Sequence, residues 1–297
     1  MVKQAWGGPW TEEKLERVRK YLSAYTTALK RQPFSLLYID AFAGSGMREI
    51  DEPTSQSLLD LEGIDRFVQG SARMALETHP PFSRFTFVEK TRSKFHALQT
   101  SLNADYASLI GKMEFRNQDA NTAVKDICAT TNWHNTRAVA FLDPYGMQVE
   151  WSTISAIAGT RGIDMWYLFP AGIGVGRMVP RRAERQPETW ARRLDLCLGG
   201  TDWREIAYEA SATQDLFEPT CAKKERIFSI SSIEKYVREK LEQVFPGVAE
   251  HALPLSKRNG AVMYLLFFAC ANERGAPTAL KIANSILGAK RGKRHRD

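Results

Sequence analysis

The chain has few of the residues that build metal centres and disulfide frameworks. Its four cysteines are separated by 69, 24 and 49 residues, so no C-x-x-C pair exists. The five histidines are equally scattered, and no two have the H-x-x-x-H spacing that one helix face presents to a metal. We therefore expect buried, reduced thiols and no metal site.

Long apolar runs are also missing. The longest candidate, Ala261–Ala271, is of strand or short-helix length and falls short of the roughly 18 residues of a membrane helix. The first residues lack the charged-then-apolar pattern of a signal peptide. With 297 residues, 43% hydrophobic and 25% charged, the chain is expected to be a globular cytoplasmic protein with no membrane contact.

Strand-length apolar runs alternate with helical patterns along the first half of the chain. A helix is predicted from Thr11 to Pro33, where proline ends it. The predicted strands that follow are Leu36–Asp40, Phe85–Glu89, Met113–Arg116, Ala138–Asp143 and Ile163–Phe169. This order is typical of a parallel sheet with helices on both faces.

The pattern changes after Pro170. Gly172, Gly174 and Gly176 form a stretch predicted to be flexible. Three helices follow, in "ETWARRLDLCL", "DWREIAYEA" and "SSIEKYVREKLEQVF". Strand signals return at His251–Leu255 and Ala261–Ala271, and the Asn-Gly step between them predicts a hairpin.

A hairpin at the end of a parallel sheet makes one strand antiparallel, as in class I S-adenosylmethionine-dependent methyltransferases. The predicted fold is therefore α/β, a Rossmann-like methyltransferase sandwich with a mostly parallel seven-stranded sheet and a helical insertion after strand five. The predicted division is an N-terminal helical segment at 1–33, a core at 34–170 and 248–289, an insertion or lid at 171–247, and a basic tail at 290–297.

Strand one runs directly into a glycine turn, "YIDAFAGSG". Dinucleotide, nucleoside triphosphate and S-adenosylmethionine sites all use such turns. The dinucleotide fingerprint requires a third glycine where this chain has Glu49, and no G-K-[ST] triphosphate loop is present. The turn therefore favours S-adenosylmethionine.

Acids at or just past successive strand ends support the same ligand, because the carboxyl ends of parallel strands share one crevice. A nucleoside linked to an amino acid needs glycine for close backbone approach, a carboxylate for the ribose hydroxyls and an acceptor for the adenine amine. The predicted donor-binding residues are Asp40, Phe42, Gly44, Gly46, Glu89, Asp119 and Ala120.

The end of strand four carries Asp143-Pro144-Tyr145-Gly146. This turn resembles the D/N-P-P-Y/F motif of enzymes that methylate exocyclic amines of bases, although the second proline is missing, and it is closer to the turn of tRNA guanine-N2 methyltransferases. We expect Asp143 and a carbonyl of the Pro144 turn to accept the amine hydrogens, and Tyr145 to stack on the base. Alternatively, Asp143 caps the helix that follows.

Positive charge is concentrated in two segments. Residues 177–193 and the tail 290–297 each carry a net charge of +4, although the whole chain carries only +7. Arginine pairs bidentately with phosphate. We expect nucleic acid to bind at Arg177, Arg181, Arg182 and Arg185. The alternatives are that these arginines pair with acids of the insertion and that the tail is a solvated end.

Across nearly its whole length the chain resembles the three-Cys-motif partner protein (TcmP) family. The matching pieces, in order, are "KLERVRKYLSAY", "LLYIDAFAGSG", "VQGSARMALE", "FVEK", "NQDAN", "FLDPYG", "LFP" and "MYLLFFACAN". The resemblance implies a Rossmann-like methyltransferase fold and a neighbouring partner that carries a three-cysteine motif of the radical or iron-sulfur type.

The sequence therefore leaves two functions open. The first is an S-adenosylmethionine-dependent methyltransferase acting on an exocyclic amine of a base in nucleic acid. The second is a non-catalytic, cofactor-binding partner subunit of a three-cysteine-motif protein. A nuclease or simple nucleic-acid clamp is disfavoured, because the chain has no paired D…[DE]-x-K pattern.

Overall fold

The computed structural model describes residues 9–45, 70–210, 224–257 and 259–288. Two features predicted from the sequence, Gly46 and the basic tail 290–297, lie outside these ranges. Among the helices described, none is long and apolar enough to cross a membrane.

The helices alternate with strands over the first part of the chain, as predicted. The helices of this part are α1 (Pro9–Leu29), α2 (70–76), α3 (Arg92–Asp105), α4 (Ala120–Thr130) and α5 (Trp151–Gly159). The strands are β1 (Ser35–Asp40), β2 (Arg84–Val88), β3 (Met113–Arg116), β4 (Thr136–Leu142) and β5 (Ile163–Phe169).

The second part begins with a π-helical turn, Ala171–Val175. Its helices are α6 (Gly176–Met178), α7 (Glu188–Leu198), α8 (Trp203–Ala207), α9 (Ile230–Glu242) and α10 (Ala276–Gly288). Its strands are β6 (Tyr208–Ala210), β7 (Lys224–Arg226), β8 (Gly247–Val248), β9 (Leu253–Ser256) and β10 (Val262–Cys270).

The main sheet has the order β3-β2-β1-β4-β5-β10-β8. Strands β1 to β5 run parallel, and β10 pairs antiparallel with β5. The predicted α/β class and the single reversed strand are confirmed. Strand β1 lies between β2 and β4, which brings the chain segments that follow these three strands to one edge of the sheet.

The hairpin predicted before the last strand is present, and its first strand is β9. A further short strand, β8, was not predicted and also pairs with β10. At the turn, Lys257 N donates to Ala261 O at 2.9 Å, and Gly260 has a positive φ of 84°. A glycine suits this conformation because a side chain would be strained there.

The sheet is buried on both faces. In β1, Leu37 and Ile39 belong to one hydrophobic cluster, whereas Leu36 and Tyr38 belong to the other. This alternation follows from the two-residue period of a strand. Helices α1, α2, α3 and α10 cover the second face, and α4, α5, α7, α8 and α9 cover the first.

The segment after β5 is mostly helical, but part of the prediction for it is wrong. The pattern "DWREIAYEA" is helical only to Ala207, and Tyr208 begins β6, which pairs with β7 in a separate two-stranded sheet. This segment shares one hydrophobic cluster with the sheet, through Leu194, Trp203 and Val237 among others. The division of the chain into core and insertion stays a prediction.

The glycines that follow β5 have a different role from the one predicted. Instead of a flexible stretch, they lie in or beside the π-helical turn, packed against the protein itself. A Cβ at Gly172 would lie 2.0 Å from the backbone oxygen of Val262, and one at Gly174 would lie 2.9 Å from Met147 Sδ. Glycine is required here because β10 and Met147 approach the turn too closely for a side chain.

We expect Gly172→Ala to destabilise the protein, because the added methyl group meets main-chain atoms that cannot rotate away. The free energy of unfolding should fall by about 1–3 kcal/mol, the usual cost of overpacking. Urea denaturation measures this change. Gly159→Ala is the control, since a Cβ there meets nothing within 4 Å. Equal stability of the two variants would contradict the close packing of the turn.

Candidate active site

A cavity of about 480 Å³ opens at the carboxyl ends of β1, β2 and β4. Several residues predicted from the sequence line it together. They are Phe42, Gly44, Glu89, Asp119, Ala120, Asp143 and Tyr145. Asp40 and Pro144 are buried and do not line this cavity, and Gly46 lies outside the described residues.

The turn after β1 and the loop after β2 form one side of the cavity. Gly44 is buried and has a positive φ of 63°, which only glycine adopts without strain. In the loop after β2, one carboxylate oxygen of Glu89 accepts a hydrogen bond from the backbone N–H of Thr91 at 2.6 Å. This bond fixes the Glu89 side chain at the cavity wall.

Asp119 begins helix α4. Its Oδ1 accepts from the backbone N–H of Asn121 at 3.0 Å, as an N-cap does, and its Oδ2 pairs with Lys90 at 3.3 Å. Lys90 and the N–H of Asn121 hold the pKa of Asp119 below its ordinary value despite partial burial. Asp119 is therefore an ionised acceptor at the cavity rim.

Asp40 lies beneath the turn after β1 and is completely buried. Its Oδ1 accepts from the backbone N–H of Phe42 at 3.3 Å, and its Oδ2 has no hydrogen-bond partner among the described residues. Burial raises the pKa of Asp40 to about 7. The predicted acid at the end of β1 is thus below the cavity, close to half-protonated near neutral pH.

The ammonium group of Lys14, on α1, forms a buried ion pair with the carboxylate of Asp143. The Nζ of Lys14 lies 2.7 Å from Asp143 Oδ2, and the Lys14 side chain is fully buried. Burial lowers the pKa of Lys14 to about 8, although Asp143 opposes the shift, and burial raises the pKa of Asp143. No motif in the sequence identifies Lys14 as a site residue.

The alternative role of Asp143 as a helix cap is wrong. Helix α5 begins at Trp151, and the residue at its N-cap is Glu150. Asp143 lies seven residues before this cap and bonds to α1 instead. Its Oδ1 has no hydrogen-bond donor in the described part of the chain.

The loop after β4, residues 143–150, carries the candidate acceptor residues and is called the acceptor loop. Two side chains from other elements hold its backbone. Arg193 of α7 donates to the carbonyl oxygens of Met147 and Gln148, the second at 2.9 Å. Asn121 of α4 also donates to Gln148 O at 2.9 Å, and its Oδ1 accepts from Glu150 N at 2.9 Å. The loop is thereby fixed to two helices.

Tyr145 lies at the mouth of the cavity and is 49% exposed. Its backbone N–H donates to the side-chain oxygen of Gln148 at 2.9 Å, which closes the turn. The next residue, Gly146, has open space where a Cβ would lie and no positive φ. The aromatic ring is therefore presented to solvent by a turn with a fixed backbone.

The four predicted phosphate-binding arginines, Arg177, Arg181, Arg182 and Arg185, are all exposed. Within the described ranges, none of their guanidinium groups forms an ion pair or a hydrogen bond. The alternative that they pair with acids of the insertion therefore has no support among these residues. No group of three or more metal-ligating side chains is found in the same part of the chain.

Comparison with known proteins supports the fold. The chain matches no protein-family model, and no curated protein sequence is similar to it. A solved structure from Legionella pneumophila, assigned to family DUF519, is similar over 95% of this chain and 92% of its own, with a TM-score of 0.50 and 11% identity. At this identity the likeness shows the fold alone.

Two methyltransferases give weaker likenesses. Trm1 from Pyrococcus horikoshii, solved with S-adenosyl-L-methionine, has a TM-score of 0.40 and 10% identity, covering 90% of this chain and 58% of its own. A Clostridium acetobutylicum S-adenosylmethionine-dependent methyltransferase has a TM-score of 0.39 and 10% identity, covering 86% and 91%. At these scores they carry no argument about function. The sheet order and its single reversed strand agree with the predicted Rossmann-like α/β fold.

We expect Lys14→Met to destabilise the protein by about 3–5 kcal/mol, because it leaves the Asp143 carboxylate buried without its counter-ion. The double variant Lys14→Met/Asp143→Asn should recover much of this loss. Urea denaturation compares them. Lys20→Met is the control on the same helix, because its ion pair with Glu16 is more than half exposed and should contribute less than about 1 kcal/mol. A loss no larger than that of the control would contradict the ion pair.

Asp40 should make stability depend on pH. Its folded pKa of about 7 exceeds its ordinary value of 3.8, so the folded state binds more protons between these values and loses stability as pH rises through them. Asp40→Asn removes this loss. The difference in free energy of unfolding between the variant and the wild type should therefore be about 2–3 kcal/mol more favourable to the variant at pH 8 than at pH 5. Urea titrations at both pH values measure the difference, and a pH-independent difference would refute the raised pKa.

Proposed function

We propose that this protein transfers a methyl group from S-adenosylmethionine to an exocyclic amine of a base in nucleic acid. One observation carries the proposal. Asp143 and Tyr145, the candidate acceptor residues, line the same cavity as Gly44, Glu89 and Asp119, the candidate donor residues. Donor and acceptor groups would therefore meet in one space.

The cavity fits the donor by the chemistry of its walls. The buried backbone at Gly44 leaves room for the methionine part, Glu89 offers a carboxylate for the ribose hydroxyls, and Asp119 offers an ionised acceptor for the adenine amine. S-adenosylmethionine supplies an electrophilic methyl group on a sulfonium. The buried carboxyl group of Asp40, below the cavity, adds negative charge near this cation when it is ionised.

Asp143 has the chemistry to activate an amine. An aromatic amine is a poor nucleophile because its lone pair is delocalised into the ring. A carboxylate that accepts one N–H localises this lone pair and would take up the proton as the N–C bond forms and the S–C bond of the sulfonium breaks, with S-adenosylhomocysteine as the leaving group. Lys14 favours the ionised form of Asp143, which burial alone would disfavour. Tyr145 would stack on the face of the base.

Nucleic acid as the acceptor is supported by charge. The exposed arginines Arg177, Arg181, Arg182 and Arg185 present planar donor groups with no internal partner among the described residues. Phosphate groups are the anions that such a surface fits best.

The second candidate is a partner subunit that binds the cofactor without transferring its methyl group. One observation favours it: the Asp143 carboxylate already bonds to Lys14 at 2.7 Å, which uses one of its two oxygens. The resemblance to TcmP proteins supports this candidate too, since it implies a partner with a three-cysteine motif of the radical or iron-sulfur type.

Calorimetric titration of S-adenosylmethionine and S-adenosylhomocysteine tests the donor site. We expect the wild type to bind both, and Gly44→Val to bind neither, because valine would be strained at a positive φ and would fill the turn. Gly146→Val is the matched control, since a side chain there has open space. If the wild type binds neither S-adenosylmethionine nor S-adenosylhomocysteine, the proposal is wrong.

Methyl transfer separates the two candidate functions. Labelled S-adenosylmethionine is incubated with pooled RNA and with DNA, using wild type and Asp143→Asn. A catalytic role for Asp143 predicts a loss of transfer of about 100-fold or more while donor binding persists. Donor binding without any transfer, together with co-purification of an iron-sulfur partner, would favour the partner subunit instead.

A further inference from the structure

Trp190 is exposed on the side of α7 that is otherwise buried. Leu194 and Cys197, which follow it by four and seven residues, are 0% and 2% exposed, whereas Trp190 is 40% exposed. Residues at this spacing share one helix face. The inner face of α7 therefore carries a large aromatic ring that the described residues leave 40% exposed.

This ring is connected to the mouth of the cavity. Arg193, one helical turn beyond Trp190, lines the cavity and donates to Gln148 O. Gln148 in turn accepts from the backbone N–H of Tyr145. Tyr145 is thus held by a residue that Arg193 binds, and Trp190 lies one helical turn before Arg193 on the same helix.

The exposed arginines lie on the chain segment between two contacts with the acceptor loop. Gly174 packs against Met147 at one end of this segment, and Arg193 bonds to the same residue at the other. Residues 175–192 therefore lie between two contacts with Met147. This segment carries Trp190 and the four arginines, whose guanidinium groups have no partner among the described residues. Positive charge and a partly exposed ring therefore occur on one segment, both ends of which contact the loop that carries Tyr145.

We propose that Trp190 is a stacking platform for an unpaired base next to the target base, and that the protein prefers single-stranded over duplex nucleic acid. This inference rests on the proposed function. Aromatic side chains bind single strands because each base offers an open face, whereas in a duplex both faces are covered by neighbouring base pairs. The arginines bind the backbone phosphates, and Trp190 and Tyr145 bind two separate bases.

Fluorescence anisotropy tests the platform. The probes are fluorescein-labelled oligouridylate, oligothymidylate and a duplex of the same length, each titrated with protein saturated in S-adenosylhomocysteine. Trp190→Ala should weaken single-strand binding by about 5- to 150-fold, the range for loss of one stacked base, and should change duplex binding little. Trp190→Phe should retain most of the affinity, because phenylalanine still stacks.

Leu196→Ala is the matched control. Leu196 lies on the same helix and is 53% exposed, but it is on the outer face, so its loss should leave affinity unchanged. A charge variant, Arg181→Gln/Arg182→Gln, should instead reduce the salt dependence of single-strand binding by roughly 1.4 in logarithmic slope, about 0.7 for each phosphate that is no longer neutralised. Trp190→Ala should leave that slope unchanged.

The outcomes separate this inference from the proposed function. If the wild type binds single strands but Trp190→Ala and Leu196→Ala are equal, the stacking platform is wrong and the nucleic-acid substrate survives. Preference for the duplex would also overturn the platform. If no probe binds the wild type, the nucleic-acid part of the proposed function is wrong and the platform is wrong with it. Thermal unfolding of each variant confirms that it is folded.

Discussion

The ion pair between Lys14 and Asp143 is the interaction on which the candidate site depends. It joins residues 129 positions apart and brings a helix that precedes the sheet against the end of a central strand. Helix α1 is further held by Tyr21, which donates to Asp164 at the start of β5, and by Arg17, which donates to Ile286 O in α10. Because burial works against both charges of the pair, neither is favourable without the other. The charge of Asp143 therefore depends on a helix outside the sheet.

The acceptor loop shows a second dependence, on the segment after β5. Arg193 and Asn121 bind main-chain carbonyl groups of the loop, so they fix its path whatever its side chains are. Gly174 packs against Met147 from a third direction. The sheet supplies the position of Asp143, whereas helices α4 and α7 supply the conformation of the residues that follow it. A change in α7 would therefore alter the cavity rim without touching the strands.

The fold was predictable because its signals are local. Strand-length apolar runs, helical periodicity and the Asn-Gly turn each report on neighbouring residues, and they identified the parallel strands and the reversed one.

Contacts between distant segments gave no such signal. Lys14 lies at helical spacing from the buried residues Val18, Tyr21 and Tyr25. A charged residue on this apolar helix face is the one feature of the sequence that indicates a buried ion pair. No residue near Gly172 in the sequence indicates that Val262 lies against it, so the glycines alone predict a flexible stretch. Tyr208 ends a helical pattern because it pairs with β7, a tertiary contact that overrides local preference.

Gly146 has a consequence for experiments on this protein. Since a side chain at this position meets no neighbour and the backbone needs no glycine conformation, the residue beside Tyr145 is a tolerant attachment point. A photoreactive amino acid introduced at 146 would stand at the cavity mouth without disturbing the turn that Gln148 closes. Ultraviolet crosslinking in cell extract, followed by sequencing or mass spectrometry of the adduct, would then identify the molecules that bind at the cavity mouth.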